Sequence, residues 1–306
     1  MQCAPPYRLD LTATVLRRIP SNLVDLLTQD GLYMRAFVNG EDIRVCVARQ
    51  PAGTDTLEVA LYRPVDSKQN ERTDAKLTTR IPLMLGARVE LGGFYAAAEK
   101  VPEMGALVAR ARGVKPPRHA SMWEALCMAV TFQQVSLESA MSIIRRVIAH
   151  FGTPLAFGEV TLYPFPSAEQ VLEADPDTLR SLGLSAAKVR TLQEAARAIL
   201  EERLTEAELD ALPTADAMAV LTRLRGIGPW TAAVVMLRGL GRLEVFPAGD
   251  SGAQRNMRGL FGTEAAGPDS EGAAILEALG PWRGMLYYHL LLWRLSSRGV
   301  ISLSES

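Results

Sequence analysis

The chain has 306 residues, 48% of them apolar, so it is long enough to bury a sizeable core in about two or three domains. Lysine plus arginine (33) nearly equals aspartate plus glutamate (34), and this balance gives no support for a nucleic-acid partner unless positive charge is concentrated locally. No apolar stretch approaches the roughly 18 residues of a membrane span, and the first residues have neither a basic nor an apolar signal region, so we expect neither a membrane span nor an export signal.

Strand signals dominate the first third of the chain. Short runs rich in β-branched or aromatic residues predict an antiparallel sheet, and they cover residues 7–11, 33–38, 43–48 and 57–62. Between the second and third runs, Asn39-Gly40 is a hairpin signal, because both residue types tolerate the positive φ of tight turns. We expect residues 1–112 to form a small β-rich α/β domain.

After Gly113 the signals become helical almost to the end of the chain. The segment 115–118, Lys-Pro-Pro-Arg, is stiffened by proline and lacks apolar periodicity, so it separates the first domain from a helical region of residues 113–306. Several segments have the pattern of a capping box, in which a Ser or Thr side chain caps the helix and a Glu or Gln three residues later binds the backbone N–H of that cap residue. The pairs are Ser121 with Glu124, Ser167 with Gln170, and Thr205 with Glu208. The sequence therefore predicts an α+β fold that is mainly helical.

Further helices are predicted from caps and apolar spacing. Asp175-Pro176 places a cap before a proline that suits the first helical position. Ser185 precedes apolar residues at helical spacing, and Leu137–Phe151 carry a similar apolar stripe that ends at Gly152. We expect an array of many helices with short connections.

The segment Gly226-Ile227-Gly228 predicts more than a packed core. Thr214 is expected to cap a helix over 215–224, and Gly226 can end that helix with positive φ. Ile227 then plugs the angle between two helices, while Gly228 leaves the first amides of the next helix bare for a phosphate. From these residues alone, a simple link between two packed helices is an equally good interpretation.

The residues around this segment are basic, although the whole chain is nearly neutral. Between residues 223 and 258 the acidic residues are Glu244 and Asp250, and the arginines are Arg223, Arg225, Arg238, Arg242, Arg255 and Arg258. This local excess predicts a basic patch that binds phosphates and releases them at high salt. Solvated helix faces are the alternative interpretation.

Residues 215–240 are predicted to form a helix, a tight glycine turn and a second helix. This order resembles the helix-hairpin-helix motif of DNA repair glycosylases, which binds the DNA backbone without reading its sequence. An apolar helix and a loop with Pro247 and Asp250 follow, as in that superfamily. By this resemblance Asp250 is the catalytic carboxylate, because breaking an N-glycosidic bond builds positive charge on the sugar. Asp250 also suits the N-cap of a helix beginning near Ser251, and the two roles are compatible.

Two absences indicate the branch of that superfamily. Bifunctional members carry a nucleophilic lysine two residues after the second hairpin glycine, where this chain has Trp230. Other branches bind an iron–sulfur cluster through four cysteines near the C-terminus, whereas the cysteines here, Cys3, Cys46 and Cys127, are scattered singly. The resemblance therefore implies monofunctional hydrolysis, and we predict no cofactor.

Residues 132–136, 226–232 and 281–283 resemble the 3-methyladenine DNA glycosylase II family, which also has a small N-terminal β-rich domain. The resemblance implies that Trp230 stacks on an electron-poor alkylated base. It places Gln134 where the family's intercalating residue, more commonly leucine, fills the gap left by a flipped base. The carbonyls around Leu224 and Ile227 stand where the family often holds a monovalent cation that bridges to DNA.

The other predicted site residues follow from the same resemblance. Phe132, Val234 and Leu291 complete the base pocket, and the DNA-binding residues are Gln134, Arg225, Gly226, Ile227, Gly228, Thr231 and Arg255. Relatives commonly have aromatic residues at the positions of Val234 and Leu291, so we expect a wider pocket that also accepts 1-methyladenine or 3-methylcytosine. The late aromatic residues Trp282, Tyr287, Tyr288 and Trp293 are interpreted as core.

Other functions stay open at this stage. One is a lesion sensor that binds DNA without catalysis, and another is a bifunctional oxidised-base glycosylase/lyase, which Trp230 disfavours. His119, His150 and His289 are too far apart in sequence to suggest a metal site. We expect a protein of the reduced cytoplasm that acts on duplex DNA containing alkylated bases, and acts as a monomer because base flipping requires one open basic face.

Overall fold

The computed structural model of the chain describes residues 1–39, 42–64, 71–263 and 270–303, and it has the mainly helical α+β fold expected from the sequence. The strands are β1 (Leu26–Leu27), β2 (Tyr33–Asn39), β3 (Asp42–Arg49), β4 (Glu58–Tyr62), β5 (Leu155–Phe157) and β6 (Val160–Leu162). The helices are α1 (Leu9–Arg17), α2 (Glu71–Met84), α3 (Gly92–Ala98), α4 (Pro102–Arg110), α5 (Met122–Phe132), α6 (Leu137–Phe151), α7 (Ala168–Glu173), α8 (Pro176–Ser181), α9 (Ala186–Leu200), α10 (Glu206–Ala211), α11 (Thr214–Thr222), α12 (Pro229–Val235), α13 (Ser251–Phe261), α14 (Glu271–Leu279) and α15 (Arg283–Ser297). A π-helical turn (Met236–Leu240) continues α12, and a 3-10 turn (Gly280–Trp282) leads into α15. Within these described ranges, no helix is both long and apolar enough to cross a bilayer.

The N-terminal sheet is an antiparallel meander with strand order β1-β2-β3-β4. The strands predicted in the second, third and fourth runs are confirmed, and β2 pairs with β3 in the register Met34↔Val47. Gly40, part of the predicted hairpin turn, lies outside the described residues. Successive side chains alternate between faces, so Tyr33 packs against α1 and α2 whereas Met34 packs against Leu162 of β6.

The strand predicted over residues 7–11 is wrong, because this part of the chain begins helix α1. The two faces of α1 serve two different cores: Leu9 and Leu16 pack beneath the sheet, and Leu11 and Val15 pack against the C-terminal helices. Helical periodicity over the longer window therefore decided the structure against the short strand signal.

Most of the remaining hydrophobic core of the described residues lies in two helical clusters, and a smaller one joins Val24 to α5 and α6. One cluster contains α5, α9 and α12, and the other joins α3 and α4 to α13, α14 and α15. Although α3 and α4 precede residue 113, they contact α14 and α15 near the other end of the chain. The helical region thus recruits helices from the predicted first domain, and the division at 112/113 stays a prediction from sequence.

Side chains cap most of the helices for which the sequence predicted a cap. The N-cap side chains that accept a backbone N–H three residues later include Ser121, Ser136, Ser167, Asp175, Ser185 and Thr205. At Ser167 the Gln170 side chain also caps back, which completes the reciprocal pair. The cap predicted at Thr214 is wrong: α11 begins at Thr214, because the extended backbone that a cap requires is supplied one residue earlier by Pro213 (φ −54°, ψ 147°).

A buried ion cluster ties the sheet to α5. Arg35 of β2 donates from Nη1 to Asp25 Oδ1 (2.9 Å) and forms an ion pair through Nη2 with the Glu124 carboxylate. Tyr33 Oη donates to Asp25 Oδ1 (2.7 Å), and His119 Nδ1 lies 3.2 Å from Glu124 Oε1. Glu124 was predicted to cap back onto Ser121, but its carboxylate instead holds two elements distant in sequence together.

Candidate active site

The glycine hairpin has the geometry predicted for it. After α11, Gly226 adopts φ +88°, and Gly228 is the N-cap of α12. Ile227 is only 4% exposed and packs into the core that contains α5 and α9, which fixes the angle between the two hairpin helices. The carbonyl of Leu224, which was predicted to be a cation ligand, accepts a hydrogen bond from the Ile227 N–H (3.0 Å).

An open cleft with a volume of about 1000 Å³ lies beside this hairpin. Five segments and one isolated residue supply its walls: the end of α5 with the start of α6, the start of α9, the hairpin with the first turn of α12, the start of α13 with the preceding loop, one face of α15, and Arg18. The face of α15 closes it with Tyr287, Leu290, Leu291 and Arg294. The cleft therefore gathers residues from nearly the whole length of the chain.

Asp250 faces this cleft with both carboxylate oxygens held. As N-cap of α13, its Oδ1 accepts the Ala253 N–H at 2.8 Å. Its Oδ2 accepts from Tyr287 Oη (3.0 Å) and Trp230 Nε1 (3.3 Å). The carboxylate therefore caps α13 and also accepts hydrogen bonds from two cleft residues. These contacts give it a single defined orientation.

Tyr287 is one of the site residues that sequence reasoning missed. Its ring is 8% exposed and packs in the core, as predicted, but its hydroxyl reaches Asp250. Burial raises the pKa of Tyr287, although Arg18 opposes that shift, so the hydroxyl stays protonated and donates at neutral pH. Helical spacing showed that Tyr287 would be buried but could not show where its hydroxyl would point.

The predicted base-pocket residues fall into two groups. Trp230, Phe132 and Leu291 line the cleft. Val234 does not: it is 4% exposed and packs in the core that contains α5 and α9. The prediction that Val234 lines the base pocket is wrong. Thr231 to Val235 are all buried, and α12 turns the Val234 side chain inward.

The turn between α5 and α6 connects directly to the hairpin. Gln133 Nε2 donates to the Gly226 carbonyl (2.9 Å) and to Thr231 Oγ1 (2.9 Å). Gln134, the next residue, adopts φ +56° and is exposed at the edge of the cleft. Gln133 therefore anchors the turn that presents Gln134, a role the sequence did not indicate.

The predicted basic patch is smaller than the sequence suggested. Arg238 is fully buried and donates to the Val15 and Leu16 carbonyls, and burial followed by repulsion from Arg18 lowers its pKa to about 10. Arg242 donates to backbone carbonyls of residues 209, 210 and 212. These two arginines support the fold, whereas the exposed ones are Arg223, Arg225, Arg255 and Arg258.

The cleft is lined by several basic residues that were not predicted from the sequence. Arg255, which was predicted, is joined there by Arg18, Lys188 and Arg294. Arg225 and Ile227, also predicted to bind DNA, are not part of the cleft wall: Arg225 is exposed outside it and Ile227 is core. The cations of the cleft therefore surround Asp250 in space, although most of them lie far from the hairpin in the sequence.

Comparisons with known proteins agree with this arrangement. Residues 127–281 match the family described as "HhH-GPD superfamily base excision DNA repair protein". A Mycobacterium tuberculosis (strain CDC 1551 / Oshkosh) protein named "Probable bifunctional transcriptional activator/DNA repair enzyme AlkA" is 33% identical over 194 residues, which are 62% of this chain but only 37% of that longer protein. "DNA-3-methyladenine glycosylase 2" of Escherichia coli (strain K12) is 26% identical over 264 residues, or 85% of each chain. The solved 3-methyladenine DNA-glycosylase from Archaeoglobus fulgidus shares the fold, with a TM-score of 0.75, 24% identity and 96% of each chain covered.

Proposed function

Because the chain belongs to the HhH-GPD superfamily of base excision DNA repair proteins, we propose that it is a monofunctional DNA glycosylase that hydrolyses the N-glycosidic bond of alkylated bases flipped out of duplex DNA. The observation that carries this proposal is the carboxylate of Asp250, which faces an open cleft and is held by Tyr287, Trp230 and the first turn of α13. Its product is an intact abasic site.

The chemistry follows from where charge develops. As the bond between C1′ and the base nitrogen breaks, its electron pair moves to the base and positive charge builds on the deoxyribose. A fixed carboxylate beside C1′ stabilises that charge without reorganising, and it orients the water whose oxygen bonds to C1′. Hydrogen bonds from Tyr287 and Trp230 keep Asp250 in place during this step.

The absence of a hairpin lysine supports the monofunctional reaction. A lyase step requires an amine that attacks C1′ and forms a Schiff base. Trp230 stands at the expected hairpin position, and among the described cleft residues the lysine is Lys188 of α9, whose Nζ donates to the Thr131 carbonyl (2.9 Å). We therefore expect no covalent adduct when the protein is treated with borohydride in the presence of lesion-containing DNA, and adduct formation would favour the bifunctional alternative.

The shape of the cleft supports a broad range of lesions. Beside Trp230 and Phe132, α15 contributes the aliphatic Leu290 and Leu291 to the wall, together with Tyr287, whose hydroxyl is bound to Asp250, so stacking is weaker than in a fully aromatic pocket. We propose 3-methyladenine as a substrate, together with 1-methyladenine and 3-methylcytosine. The protein is proposed to act as a monomer, and the cation at the carbonyls of Leu224 and Ile227 stays a prediction.

The test is base release from duplex DNA that carries one methylated base, measured separately for 3-methyladenine, 1-methyladenine and 3-methylcytosine. We expect free base and an abasic strand that breaks only after alkali treatment. Tight, salt-sensitive DNA binding without release of any base would indicate a lesion sensor. Release of 3-methyladenine alone would contradict the wide pocket while supporting the glycosylase.

The hairpin glycines allow a test of how the chain grips DNA. At Gly226, an added Cβ would overlap the hydroxyl of Thr191, and the backbone has positive φ. We expect Gly226→Ala to lower the free energy of unfolding by about 2 kcal/mol, because both the contact and the conformation oppose a side chain. Thermal or urea unfolding measures this loss.

Gly228→Ala is the matched control, since nothing lies within 4 Å of a Cβ added there. We expect it to cost less than about 1 kcal/mol of stability. It should nevertheless weaken binding to undamaged duplex DNA by roughly tenfold, because the added methyl group lies where a phosphate approaches the bare amides. Unchanged DNA affinity in Gly228→Ala would show that this hairpin does not contact the DNA backbone.

A further inference from the structure

One cation enters the cleft from the N-terminal part of the chain. Arg18 follows α1 with φ +63° and ψ −44°, in a region of backbone space that favours glycine. The other non-glycine residues with positive φ among the described ranges are Gln134 and Glu202, so two of the three strained residues lie in the cleft wall. Strain of this kind concentrates at functional sites, where it places a side chain.

The strained backbone directs the guanidinium of Arg18 onto the aromatic wall of the cleft. Its central carbon lies 4.9 Å from the centre of the Phe132 ring and 5.9 Å from that of Tyr287. Nη2 donates to Tyr287 Oη (3.3 Å), while the buried Nε has no hydrogen-bond partner among the described residues. The charge is thus held by ring faces and one hydroxyl, and no carboxylate in the described part of the chain is paired to it directly.

Tyr287 places this cation and the catalytic carboxylate on two sides of one hydroxyl. The same Oη that accepts from Arg18 donates to Asp250 Oδ2 at 3.0 Å. With a deoxyribose beside Asp250, as the proposed function requires, the attached base enters the cleft that Phe132 and Arg18 help to line. A cation and a carboxylate thus line the same cleft, separated by one tyrosine hydroxyl.

We propose that Arg18 is a catalytic and specificity-determining residue that faces the departing base and drives electrons onto it. This inference rests on the proposed glycosylase function. When the C1′–N bond breaks, its electron pair stays on the base, water adds to C1′, and the proton of that water leaves to Asp250 or solvent. A cationic base departs neutral, and an uncharged base departs as an anion that takes up a proton. In both cases the base becomes more negative by one charge, which the guanidinium stabilises.

The same charge has an opposite effect on binding. A lesion such as 3-methylcytosine carries a positive charge in DNA at neutral pH, so Arg18 repels it before the reaction. An uncharged lesion such as hypoxanthine is not repelled and can accept a hydrogen bond from the guanidinium. Arg18 therefore speeds base release from cationic and uncharged lesions alike, but it weakens the binding of cationic lesions alone. A residue that only packs in the core would not affect the two kinds of lesion differently.

The experiment compares Arg18→Met with the wild type on duplexes containing one 3-methylcytosine or one hypoxanthine. We expect single-turnover base release to fall by about 30-fold for both lesions, as expected for removing a cation about 6 Å from the base at an effective dielectric constant near 20, with partial charge development. We also expect Kd, measured in an Asp250→Asn background, to tighten for 3-methylcytosine and to stay the same or weaken for hypoxanthine. Arg18→Lys should recover most of the rate because it retains the charge.

Lys188→Met is the matched control, since Lys188 also lines the cleft but is bound to the Thr131 carbonyl. We expect this variant to change the binding of both lesion duplexes alike. The proposal is overturned if Arg18→Met releases both bases at the wild-type rate, or if the ratio of its two Kd values equals that of the wild type. If the wild type releases neither these bases nor 3-methyladenine, the proposed glycosylase function itself fails, which is a different result.

Discussion

Asp250→Asn will lower the rate of base release by about a thousandfold, while the protein stays folded and continues to bind DNA. The amide retains the shape of the carboxylate but has one acceptor oxygen: with that oxygen on the Ala253 N–H, its NH2 group faces Trp230 and Tyr287 and can donate to Tyr287 Oη. It cannot stabilise the positive charge that develops on the deoxyribose. Single-turnover release of 3-methyladenine, with abasic sites counted after alkali treatment, measures the effect.

The design separates chemistry from helix capping. Asp250 caps α13, and asparagine is as good an N-cap as aspartate, so the free energy of unfolding should fall by no more than about 1 to 2 kcal/mol, from the Trp230 Nε1–H that loses its acceptor. Asp175→Asn is the matched control, because Asp175 caps α8 by accepting the Thr178 N–H and is exposed outside the cleft. It should leave base release unchanged. An Asp250→Asn variant within tenfold of the wild-type rate would mean that another group stabilises the sugar charge.

Glu124→Gln should lower the free energy of unfolding by about 3 to 5 kcal/mol at neutral pH, because it leaves the charge of Arg35 buried with one of its two partners removed. The Arg35 and Glu124 side chains are 2% and 4% exposed, so water cannot replace the lost contact. Urea unfolding monitored by tryptophan fluorescence measures the change. Glu58→Gln removes an ion pair with Arg49 on the exposed sheet edge, and it should cost less than about 1 kcal/mol.

The same pair predicts how stability depends on pH. Burial alone would raise the pKa of Glu124, but the Arg35 guanidinium and the His119 ring lower it from 4.5 to about 2. Because the folded pKa lies below the unfolded one, this stabilisation is fully present above about pH 4.5 and is lost as pH falls toward 2. The difference in unfolding free energy between wild type and Glu124→Gln should therefore narrow across that interval. A difference that stays constant down to pH 2 would contradict the assignment.

Local rules in the sequence determined much of the fold and part of the site. Caps, glycine positions and apolar spacing depend on a few neighbouring residues, so they identified most of the helices from α5 onward and the positive φ of Gly226. The spacing from this hairpin to Asp250 was equally readable, because a helix and a short loop set that distance along the chain. Trp230 and Leu291 were placed in the base pocket by the resemblance to the 3-methyladenine DNA glycosylase II family, and both line the cleft.

Only the tertiary structure decided which distant groups meet. Tyr287 at Asp250 and Arg35 at Glu124 join elements far apart in sequence, and no local pattern records such a contact. Burial likewise removed Arg238 from the predicted basic patch. Periodicity shows that a side chain points inward, but its partner depends on how helices and sheet pack together, and Arg18 reaches the cleft only because α1 packs between the sheet and the C-terminal helices.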